Sequence, residues 1–406
     1  MCITAYAPGL RYAAALRIAK ERPRWFPSQG STGGAEPVRH SHSVLGRVVL
    51  SPGLPGSIRS CHRSHTHGIS RLPEIERDKL RSKKFGFNYE IWLIFICMAR
   101  VLITGIAGFI GSHLADHLLL EGAEILGVDD LSTGSMRNIE HLRPSIEFVA
   151  ADVADHSDIQ ALFKHVDYVY HQAGLSSVHE SITDPLNTNK VNLYGTLSVL
   201  EAARKANVKR VIYASSAAIY GNTPDSPISE ACPPSPRSAY AVQKLAGEYY
   251  LSSYAAMYGL ETVSLRYFNV FGPRQNASSQ YSGVLAKWIT QAKAGVVPTI
   301  FGDGKTVRDF THVDNIVRAN ILAARSRIAV AGQIFNVATG KGTSLLEAYS
   351  VLKDLMGFTT AVRFDVEARG DIQHSVGDIS LACRLLGYEV VTDFRIGLER
   401  TIDMYR

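Results

Sequence analysis

Residues 100–113, RVLITGIAGFIGSH, constrain the fold more than any other stretch of the 406-residue chain. Val101, Leu102, Ile103 and Thr104 are apolar or β-branched and predict a short buried strand. Gly105, Gly108 and Gly111 follow, and Ile110, Leu114 and Leu118 then fall at helical spacing. A strand that turns on glycines straight into a helix leaves backbone N–H groups at the positive end of the helix dipole, which is a seat for a pyrophosphate. The glycines permit a tight turn, close approach of a phosphate and close packing of helix on strand, because a Cβ would stand in the way of each. A glycine triplet alone also fits a Gly-rich turn. What raises it is the stretch 124–129, EILGVD, a second strand ending in Asp129, 18 residues after Gly111. A carboxylate is needed about there to bind the adenosine ribose hydroxyls, and it repels a 2′-phosphate, which favours NAD over NADP.

The pI of about 9.0 suggests nucleic acid or an acidic membrane as partner. The charge is unevenly placed, however. Residues 1–97 hold 15 Lys and Arg against 6 Asp and Glu, whereas the remaining 309 residues hold 28 against 31. The body is mildly acidic, so neither a nucleic acid nor a membrane is expected as partner. Five cysteines form no framework and no metal-ligand spacing, which suits a reducing cytoplasm and predicts no metal site. Residues 1–97 mix Arg, His, Ser, Gly and Pro without a sustained period of 2 or 3.6 and are expected to be an extension, disordered or an over-called start. Met98 stands two residues before the first core strand.

Strands are predicted at 146–150, 167–173, 209–214 and 261–267, with long helices at 185–206 and 239–258 between them. This alternation predicts a doubly wound parallel sheet. Asp152, after the third strand, can reach an adenine amino group or cap a helix. Beyond Pro273 the alternation becomes irregular: helices at 281–295, 314–325, 345–356 and 379–386 and short strands at 299–301 and 333–337 read as a smaller lobe over the carboxyl ends of the strands. The predicted organisation is 98–272 as dinucleotide-binding domain, with 309–326 returning to it, and 273–406 mainly as substrate lobe.

Tyr240 and Lys244 stand at i and i+4, on one face of the second long helix. A free phenol has a pKa of roughly 10, too high for a base at neutrality. A nearby lysine cation and a positive nicotinamide ring are expected to lower it. Alone, this pair is common by chance in helices. Ser216, at the end of the preceding strand, delivers a hydroxyl to the same cleft, and the three together are specific.

These features, with His171-Gln-Ala-Gly-Leu175, Arg266-Tyr-Phe-Asn-Val-Phe-Gly-Pro273 and Val307-Arg-Asp-Phe-Thr-His-Val-Asp314, resemble the extended short-chain dehydrogenase/reductases, and within them the NAD-dependent UDP-hexose 4-epimerases. The resemblance covers nearly all of residues 98–406 and implies a Rossmann-type α/β fold with a smaller C-terminal α/β lobe. It implies Ser216, Tyr240 and Lys244 as catalytic residues. Gly105, Gly108, Phe109, Ile110, Gly111, Asp129, Asp152, Val153 and Ala173 would bind NAD together with Tyr240 and Lys244. Asn269 and Arg308 would contact the substrate diphosphate, with an Arg308–Asp309 ion pair as the plainer alternative for that arginine.

The dehydratases and decarboxylases of this group carry acids just after the serine or threonine. Here Ala217 and Ala218 occupy those places, which favours epimerisation. Arg369 stands one place late for the family's second phosphate ligand, with Ala368 where an arginine is expected. Ser375 replaces a bulky aromatic and leaves room for a 2-acetamido group, pointing to UDP-GlcNAc/UDP-GalNAc and to UDP-Glc/UDP-Gal besides. A UDP-glucuronate 4-epimerase and a non-catalytic NAD(P)-sensing scaffold are the alternatives. A homodimer through the two long helices is expected by the same resemblance.

Overall fold

The computed structural model describes residues 99–276, 283–358, 362–366 and 372–404. The expectations for residues 1–97 and for Arg369 lie outside them. The first strand, β1 (Arg100–Thr104), runs into α1 (Phe109–Leu120) and is followed by β2 (Glu124–Asp129), β3 (Glu147–Ala150) and β4 (Tyr168–His171). Next come α2 (Pro185–Asn189), α3 (Gly195–Ala206), β5 (Arg210–Ser216), α4 (Ala239–Tyr258) and β6 (Glu261–Tyr267). The remaining elements are β7 (Asn269–Phe271), α5 (Val284–Lys293), β8 (Thr299–Phe301), β9 (Val307–Arg308), β10 (Phe310–His312), α6 (Val313–Arg325), β11 (Gln333–Val337), β12 (Thr343–Ser344), α7 (Leu345–Met356), β13 (Arg363–Asp365), β14 (His374–Ser375), α8 (Ser380–Leu386) and α9 (Phe394–Met404).

Seven parallel strands form the main sheet, in the order β11-β6-β5-β4-β1-β2-β3. Alternation along β1 decides which face each residue covers. Val101 and Ile103 join Leu114, Leu118, Ile316 and Phe335 in one core, under α1 and α6. Leu102 joins Val199, Leu200, Val211 and Leu251 in the other, under α3 and α4. Strands apolar on both sides are what a parallel sheet covered on both faces requires. The strand order reverses at β1, between β4 and β2, so the crevice at the carboxyl ends of β1 and β4 is the place where such sheets bind ligands.

One boundary differs from expectation. Gln333–Val337, read as part of the smaller lobe, pairs in parallel with β6 and is an outer strand of the main sheet. The lobe itself rests on a separate core of Phe271, Trp288, Ile300, Phe310, Leu352 and Leu398. Its strands are two or three residues long, including the three-stranded sheet β12-β9-β14.

Candidate active site

The glycine turn is built as its sequence requires. Gly105 has φ +71°, and its N–H donates to the Val128 carbonyl at 2.7 Å. A Cβ there would lie 2.7 Å from the Ala173 nitrogen, and one on Gly111 would lie 2.1 Å from the Gly105 carbonyl oxygen. Gly108 is the N-cap of α1, and no side chain caps that helix. Phe109 and Ile110, half-buried, form its first turn beside Gly111. Asp129, buried at the end of β2, accepts N–H groups from Ala107 at 2.9 Å and Leu131 at 2.8 Å. Burial raises its pKa, and these donors oppose the rise. A carboxylate has about four lone-pair sites, so acceptor capacity remains for ribose hydroxyls. A cradle that any Cβ would fill, an uncapped helix N-terminus and a buried acid at the next strand end fit a dinucleotide pyrophosphate and its ribose.

Asp152 is not a helix cap: the following short helix is N-capped at Asp155. Its carboxylate instead accepts from Ala154 N–H at 2.8 Å and pairs with Lys190 at 2.9 Å. Val153 is buried, 3.0 Å from where a Cβ on Gly195 would stand. Ala173 N–H donates to Thr104 Oγ1 at 3.2 Å, which holds the loop after β4 against the glycine turn.

The structure brings Ser216, Tyr240 and Lys244 together. Ser216 ends β5, and its Oγ accepts from Ala218 N–H at 3.2 Å. Helix α4 starts at Ser238, whose side chain caps Ala241 N–H, so Tyr240 lies in its first turn. The Ser216 side chain lies near enough to the Tyr240 phenol to oppose the rise in its pKa. Lys244 is buried, donates to the Ala214 carbonyl at 2.8 Å, and lies 4.8 Å from the Tyr213 ring centroid and 5.9 Å from that of Tyr240. The expected lowering of the phenol is not what the chain alone provides. Burial raises Tyr240 and only Ser216 opposes it, while burial also lowers Lys244 to about 8, against the charge of Glu248. The phenolate therefore needs a further positive charge in the cleft.

Two features escaped the sequence. Residues 185–206 are not one regular helix, because Lys190–Tyr194 forms a π turn between α2 and α3. There Asn192, buried, accepts from Leu175 N–H at 2.8 Å and donates to the Leu175 carbonyl at 3.0 Å and to Gln243 Oε1 at 2.9 Å. This ties the loop after β4 to α4, which carries Tyr240 and Lys244. The second feature is Glu248, on the Tyr240/Lys244 face one turn farther on. It accepts from Ser215 Oγ at 2.5 Å and from both Nε and Nη2 of buried Arg266, at 2.9 and 2.7 Å. Arg266 in turn lies 4.7 Å from the Tyr220 ring centroid. The sequence signal for Glu248 was its i, i+4, i+8 register with Tyr240 and Lys244.

Of the expected substrate residues, Asn269, Arg308 and Ser375 lie on neighbouring strands, and Arg369 is outside the described residues. Arg308 on β9 sits opposite Ser375 on β14, and Asn269 N–H donates to the carbonyl of Asp309 at 3.1 Å. The Arg308 guanidinium donates to the carbonyls of Val307 and Ile372, and Ser375 is buried beside it. Asp309 turns inward, onto hydroxyl and backbone N–H groups. Among the described residues no cluster of His, Cys, Asp or Glu is placed to hold a metal, and no helix is long and apolar enough to cross a membrane.

Residues 101–338 match the NAD dependent epimerase/dehydratase family. The chain is 38% identical over 312 residues to the UDP-glucose 4-epimerase of Mycolicibacterium smegmatis, covering 76% of this chain and 98% of that one. It superposes with a TM-score of 0.72 and 37% identity on the UDP-N-acetylglucosamine 4-epimerase of Methanobrevibacter ruminantium in complex with UDP-N-acetylmuramic acid, over 76% of this chain and 98% of that one. The UDP-glucuronic acid 4-epimerase of Bacillus cereus, solved with UDP-glucuronic acid and NAD, gives a TM-score of 0.70 at 31% identity over 75% of this chain and 98% of that one. With the glycine cradle, Asp129 and the Ser216–Tyr240–Lys244 set in one cleft, the chain is an enzyme of the NAD dependent epimerase/dehydratase family, and NAD is its cofactor.

Proposed function

We propose that the protein interconverts the C4 epimers of a UDP-hexose, with UDP-GlcNAc and UDP-GalNAc as the preferred pair and UDP-Glc and UDP-Gal accepted as well. The observation that carries the reaction type is the assembled Ser216–Tyr240–Lys244 set, followed by Ala217 and Ala218 in the turn after β5. Neither alanine can move a proton at a second carbon, so the proton chemistry on that turn is confined to one hydroxyl. Tyr240 takes the proton of the C4 hydroxyl and later returns it to the C4 oxygen, while Ser216 holds that hydroxyl in line. Lys244 supplies positive charge beneath the phenol. The chemistry NAD supplies when bound is reversible storage of the C4 hydride. Arg308 and Asn269 hold the diphosphate while the flat 4-keto sugar turns its other face to the cofactor. Ser375, small and buried beside Arg308, supports the choice of a 2-acetamido sugar.

The same proposal includes a homodimer. Leu186 on α2, Tyr194 in the π turn, and Val242, Tyr249 and Met257 on α4, all exposed, support it. Incubation with UDP-GlcNAc, UDP-Gal and UDP-glucuronate in turn, read by NMR at C4, tests the substrate assignment. Equilibration of UDP-GlcNAc with UDP-GalNAc is expected. Turnover of UDP-Gal alone, or of UDP-glucuronate alone, overturns the assignment.

A further inference from the structure

We propose that Asp309 is a positioning residue for the substrate, its buried carboxylate setting the relative placement of Asn269, Arg308 and Ser375. The proposal rests on the assignment of those three residues to the UDP-sugar. Asp309 is fully buried. One carboxylate oxygen accepts from Thr339 N–H at 2.8 Å, Thr339 Oγ1 at 2.7 Å and Thr311 Oγ1 at 3.2 Å. The other accepts from Gly340 N–H at 2.9 Å and Gly377 N–H at 3.4 Å. Its backbone N–H donates to the Ser375 carbonyl at 2.8 Å and its carbonyl accepts from Asn269 N–H at 3.1 Å. A single residue thus touches the strands of all three ligand groups and is next in sequence to the arginine.

Those strands cannot align themselves. β9 and β14 are two residues long and β7 is three, too short for a ladder to fix register. The carboxylate supplies what the ladder lacks. Thr339 and Gly340 follow β11, the outer strand of the main sheet, so Asp309 also fixes the ligand strands to the sheet that carries the cofactor cradle. All its donors are neutral. A buried carboxylate without a cation is costly unless fully hydrogen-bonded, and a neutral residue at this place would fold at lower cost. Five donors on two oxygens leave no capacity for a substrate group, so the residue acts through its neighbours.

Asp309→Asn keeps the shape and turns one acceptor into a donor facing donors. Thr339→Val removes one hydroxyl donor and leaves the carboxylate. UDP alone is the probe, titrated calorimetrically into the NAD-loaded enzyme, beside KM and kcat for the UDP-sugar and NAD content after gel filtration. Losing hydrogen bonds to a charged group should weaken UDP binding and raise KM roughly tenfold or more in Asp309→Asn, and about threefold in Thr339→Val. NAD content and kcat at saturation should stay within about twofold, as expected when only substrate binding is lost. Unchanged UDP affinity in folded Asp309→Asn, or equal losses of NAD and UDP in folded Thr339→Val, overturns the proposal. If Asp309→Asn does not fold, Thr339→Val decides alone. Arg308→Ala separates the levels. If it leaves UDP affinity intact, the substrate assignment fails and the proposal with it. If it weakens UDP while Asp309→Asn does not, only the proposal fails.

Discussion

The proposed cofactor half and the proposed substrate half of this cleft are built by opposite means. On the cofactor side, each functional group sits at the end of a long element: the glycine turn between β1 and α1, Asp129 closing β2, Ser216 closing β5, Tyr240 and Lys244 in α4. Parallel ladders of four to seven residues hold these ends in place. On the substrate side, Asn269, Arg308 and Ser375 stand on three separate strands of two or three residues. A rigid sheet positions the cofactor half at little local cost. The substrate half depends on a few side-chain bonds, and a surface so held can be re-specified without touching the chemistry. Members of one fold that differ in the sugar they accept are the expected consequence.

The largest effect should come from Tyr240→Phe. Losing a general acid–base group lowers kcat by about 10²–10⁴-fold. If the halves are independent, UDP affinity and NAD content remain unchanged, which equilibrium titration and the absorbance spectrum of the purified protein report. Turnover reduced less than about tenfold would show that another group carries the proton.

Gly111→Ala comes next. Its Cβ would stand 2.1 Å from the Gly105 carbonyl oxygen, so α1 must move away from the turn. Overpacking of this kind costs about 1–3 kcal/mol, and NAD occupancy should fall with it. UDP binding should change little. Full NAD occupancy would mean that the cradle is not the pyrophosphate seat, and equal loss of UDP would break the separation of the halves.

The same division explains what could be read from the chain alone. Residues 100–111 and Tyr240/Lys244 are local signals, complete within a strand–turn–helix or within one helical turn. The limits of α4 follow from Ser238 as cap and Gly259 in the left-handed region. Gln333–Val337 looks like any short strand, and only its pairing with β6, some seventy residues earlier, assigns it to the main sheet. Arg308 and Ser375 carry no periodicity, since a two-residue strand has none, and they were reached only through family resemblance. The π turn at Lys190–Tyr194 leaves the helical composition around it unchanged, so Asn192 was invisible as a clamp on Leu175. Asp309 was legible only as a possible partner of Arg308. Apart from Thr311, two residues on, its donors Thr339, Gly340 and Gly377 come from loops that no spacing rule connects.

The smallest effect concerns charge, and it sharpens the comparison most, because Lys244 in one half and Asp309 in the other are buried ions of opposite sign whose hydrogen-bond partners are all neutral. Burial lowers Lys244 to about 8 from the 10.5 of a free lysine, and it raises Asp309 above 3.8. For Lys244, the unfolded chain binds more protons between about 8 and 10.5, so stability rises with pH across that window. For Asp309, the folded chain binds more protons, so its contribution is full below 3.8 and is lost as pH rises through the folded value. At neutral pH both ions cost stability. Lys244→Met removes one of them and also the hydrogen bond to Ala214, so a net gain of about 1–2 kcal/mol is expected at pH 7, with turnover lost. The gain should vanish by pH 10.5, where the wild-type side chain is neutral in the fold. Urea unfolding of both proteins at the two pH values measures it. A gain that persists at high pH would come from packing instead. A loss at pH 7 would mean that the fold fully compensates the buried charge of Lys244.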